Sequence, residues 1–187
     1  MQSQKSFTIV ELLVALAIFS LIVGSASGIF VSAIRAQRKA LAQQELLDQT
    51  SYLMEYISRS VRMARKELSA PDCLSEHGLN YATTSSRVIS GKTYSGLGLR
   101  FRNYQGICQE FFVDSQMLKE WKEGYLEPLP LTSGNLKVNS FNVNLVGQSQ
   151  DDDLQPKVTV FFEIEGREQT KIKIQTSLSQ RNPDIVR

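Results

Sequence analysis

Few residues in this 187-residue chain are placed to do chemistry. His77 is the only histidine, and it lies in a polar stretch. Cys73, Glu76 and His77 supply too few neighbouring ligands for zinc. Asp151, Asp152 and Asp153 are adjacent, whereas a calcium loop alternates its acids, so a solvated loop is expected there. No Gly-x-Ser-x-Gly elbow, P-loop or dinucleotide fingerprint occurs. The sequence therefore predicts no catalytic residue, no metal and no cofactor. Cys73 and Cys108 allow a single pairing, closing a loop of about 35 residues if the compartment is oxidising. The alternative is two reduced, half-buried thiols. One carboxylate stands apart from all of these. From Phe7 to Phe30 the only charged residue is Glu11. About twenty apolar residues span a bilayer as a helix. A carboxylate at the centre of such a helix costs about 2.5–3.5 kcal/mol, and less near an end.

Composition does not separate the chain from ordinary folded proteins, at 42% hydrophobic and 21% charged. The formal net charge of +2 gives no strong pull toward nucleic acid. The apolar residues are uneven, with a dense block in the first thirty positions. That block has three readings. It is a cleaved secretory signal with small residues at Gly24 and Ala26, a plain membrane anchor, or an assembling helix in which Glu11 has a role. A carboxylate at the start of a signal's apolar region opposes insertion, which favours the third reading.

The residues around Glu11 carry a specific pattern. A short leader with Lys5 is followed by Phe7, Thr8, two aliphatics, Glu11 and Leu12-Leu13-Val14. The pattern resembles the class III signal of type IV pilins and type II secretion pseudopilins. The resemblance is strong from Lys5 to about Phe30. It implies cleavage by a prepilin peptidase between Ser6 and Phe7, then N-methylation of Phe7. The family usually has Gly before the cut. Ser6 is also small, and slower cleavage is expected. The freed Phe7 amine is expected to pair with Glu11 of a neighbouring subunit, since a buried ion is tolerated only when paired. Glu11 would then act in subunit assembly.

The elements that position these residues follow from periodicity. No Pro interrupts the chain before Pro71, and Gly24 to Gly28 is a soft spot where the helix is expected to loosen. Leu46, Thr50, Leu53, Ile57, Val61, Ala64 and Leu68 recur at spacings of three and four, one apolar helix face. Glu55 and Arg59 stand at i,i+4 on the polar side. Ala70-Pro71-Asp72 is expected to stop the helix. Strands are expected over 97–103, 107–114, 116–122, 135–145 with a slip at Ser140, 157–165 and 170–178. The fold class is α+β, a long amino-terminal helix on a carboxy-terminal antiparallel sheet. The expected divisions are a leader at 1–6, an apolar membrane or filament-core helix at 7–30, its amphipathic continuation at 31–70, and a sheet domain at 71–187.

The resemblance then implies a non-enzymatic, pilin-like subunit of a secretion pseudopilus or pilus. The length and irregular strand region resemble a minor subunit, including the J-type minor pseudopilins, that starts a filament. Expected partners are the prepilin peptidase, other pilin-like subunits, an inner-membrane assembly platform and, before assembly, membrane lipid. Nucleic acid is not expected. Arg35, Arg38 and Lys39 follow the apolar block and Lys5 precedes it, so charge counting alone would put the second group in the cytoplasm. The cleavage motif implies the reverse, a single-pass inner-membrane protein with its carboxy-terminal domain outside. A membrane-anchored enzyme or sensor, and a binding domain secreted by a cut near Ala26, are the alternatives.

Overall fold

The computed structural model describes residues 8–68, 72–148 and 154–181. The chain forms two units, divided between Leu41 and Ala42. A 54-residue helix, α1 (Ile9–Arg62), supplies the described part of the first and begins the second. In the first unit almost every side chain of α1 is exposed, including Leu12, Leu16, Phe19, Leu21 and Phe30. The expected loosening at Gly24 to Gly28 does not occur, and α1 runs through it unbroken. Ser20 and Ser27 donate to the carbonyls of Leu16 and Val23, each at 2.8 Å, and Ser25 donates to Leu21. Each hydroxyl is thus satisfied within the helix, as an apolar surrounding requires.

In the second unit α1 buries Ala42, Leu46, Thr50, Leu53, Ile57 and Val61. The helix ends at Arg62, earlier than the position near residue 70 that its propensity suggests. The following residues instead bond to the sheet side of the unit. The Arg65 N–H donates to the Arg102 carbonyl at 2.8 Å, and the Glu67 N–H to the Leu79 carbonyl at 2.9 Å. The buried Glu67 carboxylate meets the Arg102 guanidinium at 2.8 Å. Ala64 stays in the core, but Leu68 is 74% exposed and leaves the apolar face. Ala70 and Pro71 lie outside the described residues. The Glu55–Arg59 pair forms at 2.7 Å.

Among the described residues, eight strands make two antiparallel sheets where one was expected. The first joins β1 (Tyr81–Ile89), β2 (Lys92–Arg102), β3 (Cys108–Asp114), β4 (Met117–Lys122) and β5 (Leu129–Pro130) in chain order. The second joins β6 (Lys137–Val146), β7 (Lys157–Glu165) and β8 (Lys171–Ser179). The split follows from β5, which is two residues long and ends at a proline that has no N–H to donate. β1 is a strand that the sequence pattern did not show. Its two-residue connection to β2, Ser90-Gly91, has φ of 49° and 81°, the left-handed geometry of a tight hairpin. The slip in β6 is a bulge, with the register shifting between Val138 and Ser140.

One core joins α1 to both sheets. Leu53, Ile57 and Val61 share a cluster with Tyr81, Leu99, Phe101 and Phe111 of the first sheet and Val160, Phe162 and Ile164 of the second. The Tyr81 hydroxyl is buried and donates to the Val61 carbonyl at 2.8 Å, which ties β1 to the last turn of α1. Burial raises the Tyr81 pKa well above its ordinary value. The folded state therefore keeps this proton more tightly than the unfolded chain does. Its contribution is complete below the unfolded tyrosine value of about 10 and is lost as pH rises above it. Tyr81→Phe is expected to cost about 0.5–1.5 kcal/mol at neutral pH and to flatten the alkaline fall in stability. Urea unfolding of the detergent-solubilised chain at pH 7 and above pH 10 measures both.

Candidate assembly site

The amino-terminal site is built on the first turn of α1. Thr8 precedes the helix, and its hydroxyl accepts the Glu11 N–H at 3.3 Å. The Thr8 carbonyl accepts the Leu12 N–H at 3.3 Å. Thr8 is therefore the N-cap, and Glu11 stands at the third helical position with its side chain exposed. Thr-x-x-Glu is the capping-box spacing, in which the acid can reach back to the N-cap N–H. Thr8 was visible in the sequence as part of the motif around Glu11, but its capping role, which the Thr-x-x-Glu spacing signals, was not drawn from it. A carboxylate in the first turn also meets the positive end of the helix dipole. Ser6 and Phe7, the expected cleavage and methylation positions, lie outside the described residues. Glu11 is thus a carboxylate at the head of an apolar, uncovered helix, with no ion pair among the described residues.

The sheets hold their charges differently. On β3, Gln109 and Phe111 face α1, while Cys108, Glu110 and Phe112 take the other face. Glu110 is fully buried, with Arg87 Nε and Arg100 each at 2.7 Å. The Thr84 hydroxyl also donates to it. Gly98 makes the approach possible, since a Cβ there would lie 2.5 Å from Glu110 Oε1. Burial lowers the Arg87 pKa, and Glu110 opposes that shift. Arg87 also lies 4.0 Å over the Phe112 ring. Toward α1, Glu120 accepts the Tyr56 hydroxyl and Gln109 Nε2, each at 2.6 Å, with Lys122 at 3.3 Å. Burial, then the bond to Glu120, raises the Tyr56 pKa. Lys122 is pushed down by burial, but its contacts with Tyr56 and Glu120 outweigh this and raise it. Each of these buried carboxylates is neutralised by a neighbouring cation, which suits a structural role. None of this was legible in the sequence, because it depends on cross-strand register.

Cys73 and Cys108 form a disulfide, with Cα atoms 5.4 Å apart. It fastens the segment after α1 to β3, beside Leu74, Leu79 and Trp121. His77 is exposed in a turn. Among the described residues no three acidic, histidine or cysteine side chains cluster to hold a metal. Asp151, Asp152 and Asp153 lie outside them.

With this geometry in place, the comparison with known families is specific. The family model of the prokaryotic N-terminal methylation motif matches residues 1–27. The match covers the amino-terminal segment that holds Thr8 and Glu11 and most of the apolar stretch, and stops well short of the sheets. α1 contains one stretch long and apolar enough to cross a membrane, close to the amino terminus. No curated protein and no solved structure matches the chain.

The disulfide has a measurable weight. In the chain-entropy account a loop of this size contributes about 3–4 kcal/mol. The Cys73→Ser/Cys108→Ser double variant is expected to lose that much in urea unfolding. Reductant should lower the midpoint of the unaltered chain and leave the variant's midpoint where it is.

Proposed function

We propose that the chain is a pilin-like structural subunit, cut between Ser6 and Phe7, methylated at Phe7 and assembled through the first part of α1. The observation that carries this reading is the exposed apolar helix whose only charge from Phe7 to Phe30 is Glu11. In lipid that carboxylate is costly. Beside the freed Phe7 amine of a neighbour it is paired, so the right stagger relieves a penalty that the lone subunit bears. The motif match over residues 1–27 supports the same processing. The Cys73–Cys108 bridge favours a carboxy-terminal domain outside the cytoplasm, where disulfides persist. The membrane stores the subunit, and the assembly platform and other pilin-like chains receive it. Length and the irregular strand region, which suggested a filament-starting minor subunit, fit that role and a repeating role alike. Both need the same amino-terminal helix.

Mass spectrometry of the mature amino terminus tests the reading. A chain beginning at N-methylated Phe7 is expected. A start at Met1 would leave a plain anchored protein, and a start near Ser27 would mean ordinary secretion. Glu11→Ala is expected to leave the chain in the membrane at normal level while filaments are lost.

A further inference from the structure

Within the second unit one side of α1 stays uncovered. Glu45, Asp48, Tyr52, Glu55, Arg59 and Arg62 recur at spacings of three and four and so form one stripe. It lies away from the face that buries Leu46, Leu53, Ile57 and Val61. Tyr52 on this stripe is 74% exposed. Charge is divided along it, with acids toward the start and arginines at the end. Beside Arg59 and Arg62, Met63 and Arg181 help to line an open groove of about 610 Å³. The groove's one carboxylate, Glu55, is engaged with Arg59, and both partners are about 70% exposed, at 69% and 72%. Such a pair is weak and easily exchanged. Arg62, Arg181 and Asp48 make no ion pair among the described residues, whereas Glu45, at the edge of the stripe, is half-buried and lies 4.0 Å from Arg167, a long contact that Arg59 of a neighbour would share.

We infer that this stripe is a contact between copies of the chain. The acidic turn Glu45–Asp48 of one copy docks beside Arg59 and Arg62, at the groove of the next. The inference rests on the subunit reading, which makes neighbouring helices parallel. Charge then selects the stagger. In register, acid meets acid and arginine meets arginine. Shifted by seven residues, Glu55 meets Arg62 but Asp48 meets Glu55. Shifted by fourteen, Glu45 meets Arg59 and Asp48 meets Arg62, with no like pair on the stripe. Fourteen residues of helix are about 21 Å, whereas the Phe7–Glu11 pairing needs an offset of about four residues, so the stripe meets a different neighbour in the filament from the one that pairs with Glu11. A contact that joins different patches of identical chains does not close on itself, so it propagates a filament. Tyr52 adds apolar area beside the charges, as aromatic residues at interfaces do.

Cysteine cross-linking of the full chain in its native membrane tests this. Asp48→Cys with Arg62→Cys in one chain is expected to give an oxidation ladder of dimers, trimers and higher species, with neither single variant doing so. Independently, Asp48→Arg and Arg62→Asp should each lose filaments, and the two together should restore them. The absence of a ladder while the chain begins at Phe7 and filaments form overturns the contact alone. A ladder from Glu55→Cys with Arg62→Cys overturns the fourteen-residue stagger. A product that stops at dimer, formed by Asp48→Cys with Arg59→Cys, means an antiparallel pair and overturns the parallel contact. Cross-links only to a different pilin-like chain overturn self-recognition. A chain that starts at Met1 and forms no filaments removes the subunit reading itself.

Discussion

The apolar side chains that α1 exposes between Ile9 and Val31 cannot remain in water. Each of the larger ones, such as Leu12, Phe19, Leu21 and Phe30, gains about 1.5–3 kcal/mol when fully buried. Among the described residues, the first unit holds nothing of its own to cover them. The cover must come from lipid or from other helices, and those two environments are nearly equivalent for Leu or Phe. They are not equivalent for Glu11. Under the proposed function, an apolar surface that accepts either environment, headed by one acid that accepts only a polar or paired one, would distinguish storage from assembly. The serine hydroxyls along the way do not disturb this, because each bonds back into the helix.

The second unit solves the same problem internally. Leu46, Leu53, Ile57 and Val61 are covered by two sheets. Around that core the buried acids are each met by a cation, Glu67 by Arg102, Glu110 by Arg87 and Arg100, and Glu120 by Lys122. Removing one partner of such a set strands a buried charge. These pairs fix how β1, β2, β3 and the segment after α1 align. The result is a unit whose buried acids are paired with cations.

Much of this architecture was readable from periodicity, and the failures have physical causes. The spacing of Leu46 to Val61 identified the buried helix face, and alternation located most of β3, β4, β6, β7 and β8. β1 escaped because its register shifts between Thr84 and Ser86 and most of its residues are polar. The helix end was misplaced because Arg65 and Glu67 exchange helical bonds for bonds to Arg102 and Leu79, a tertiary choice that local propensity does not register. Glu11 stood out because it is one charge in an apolar run. The Glu110 cluster did not, since nothing local relates Arg87, Gly98 and Glu110. Only the pairing of three strands brings them together.

The way the second unit is fastened bears on its biogenesis. Gln180 Nε2 donates to the Ala64 carbonyl at 2.6 Å, across 116 residues, and the Arg181 N–H donates to the Arg62 carbonyl at 2.9 Å. The end of α1 thus waits for β8. During synthesis the buried face of the helix emerges long before the strands that cover it. Contacts so distant in sequence are slow to form and leave apolar surface open meanwhile. Until the residues after β8 are in place, the carbonyls of Arg62 and Ala64 lack these two donors, so the seal at the end of α1 is completed by the last residues of the domain to be synthesised.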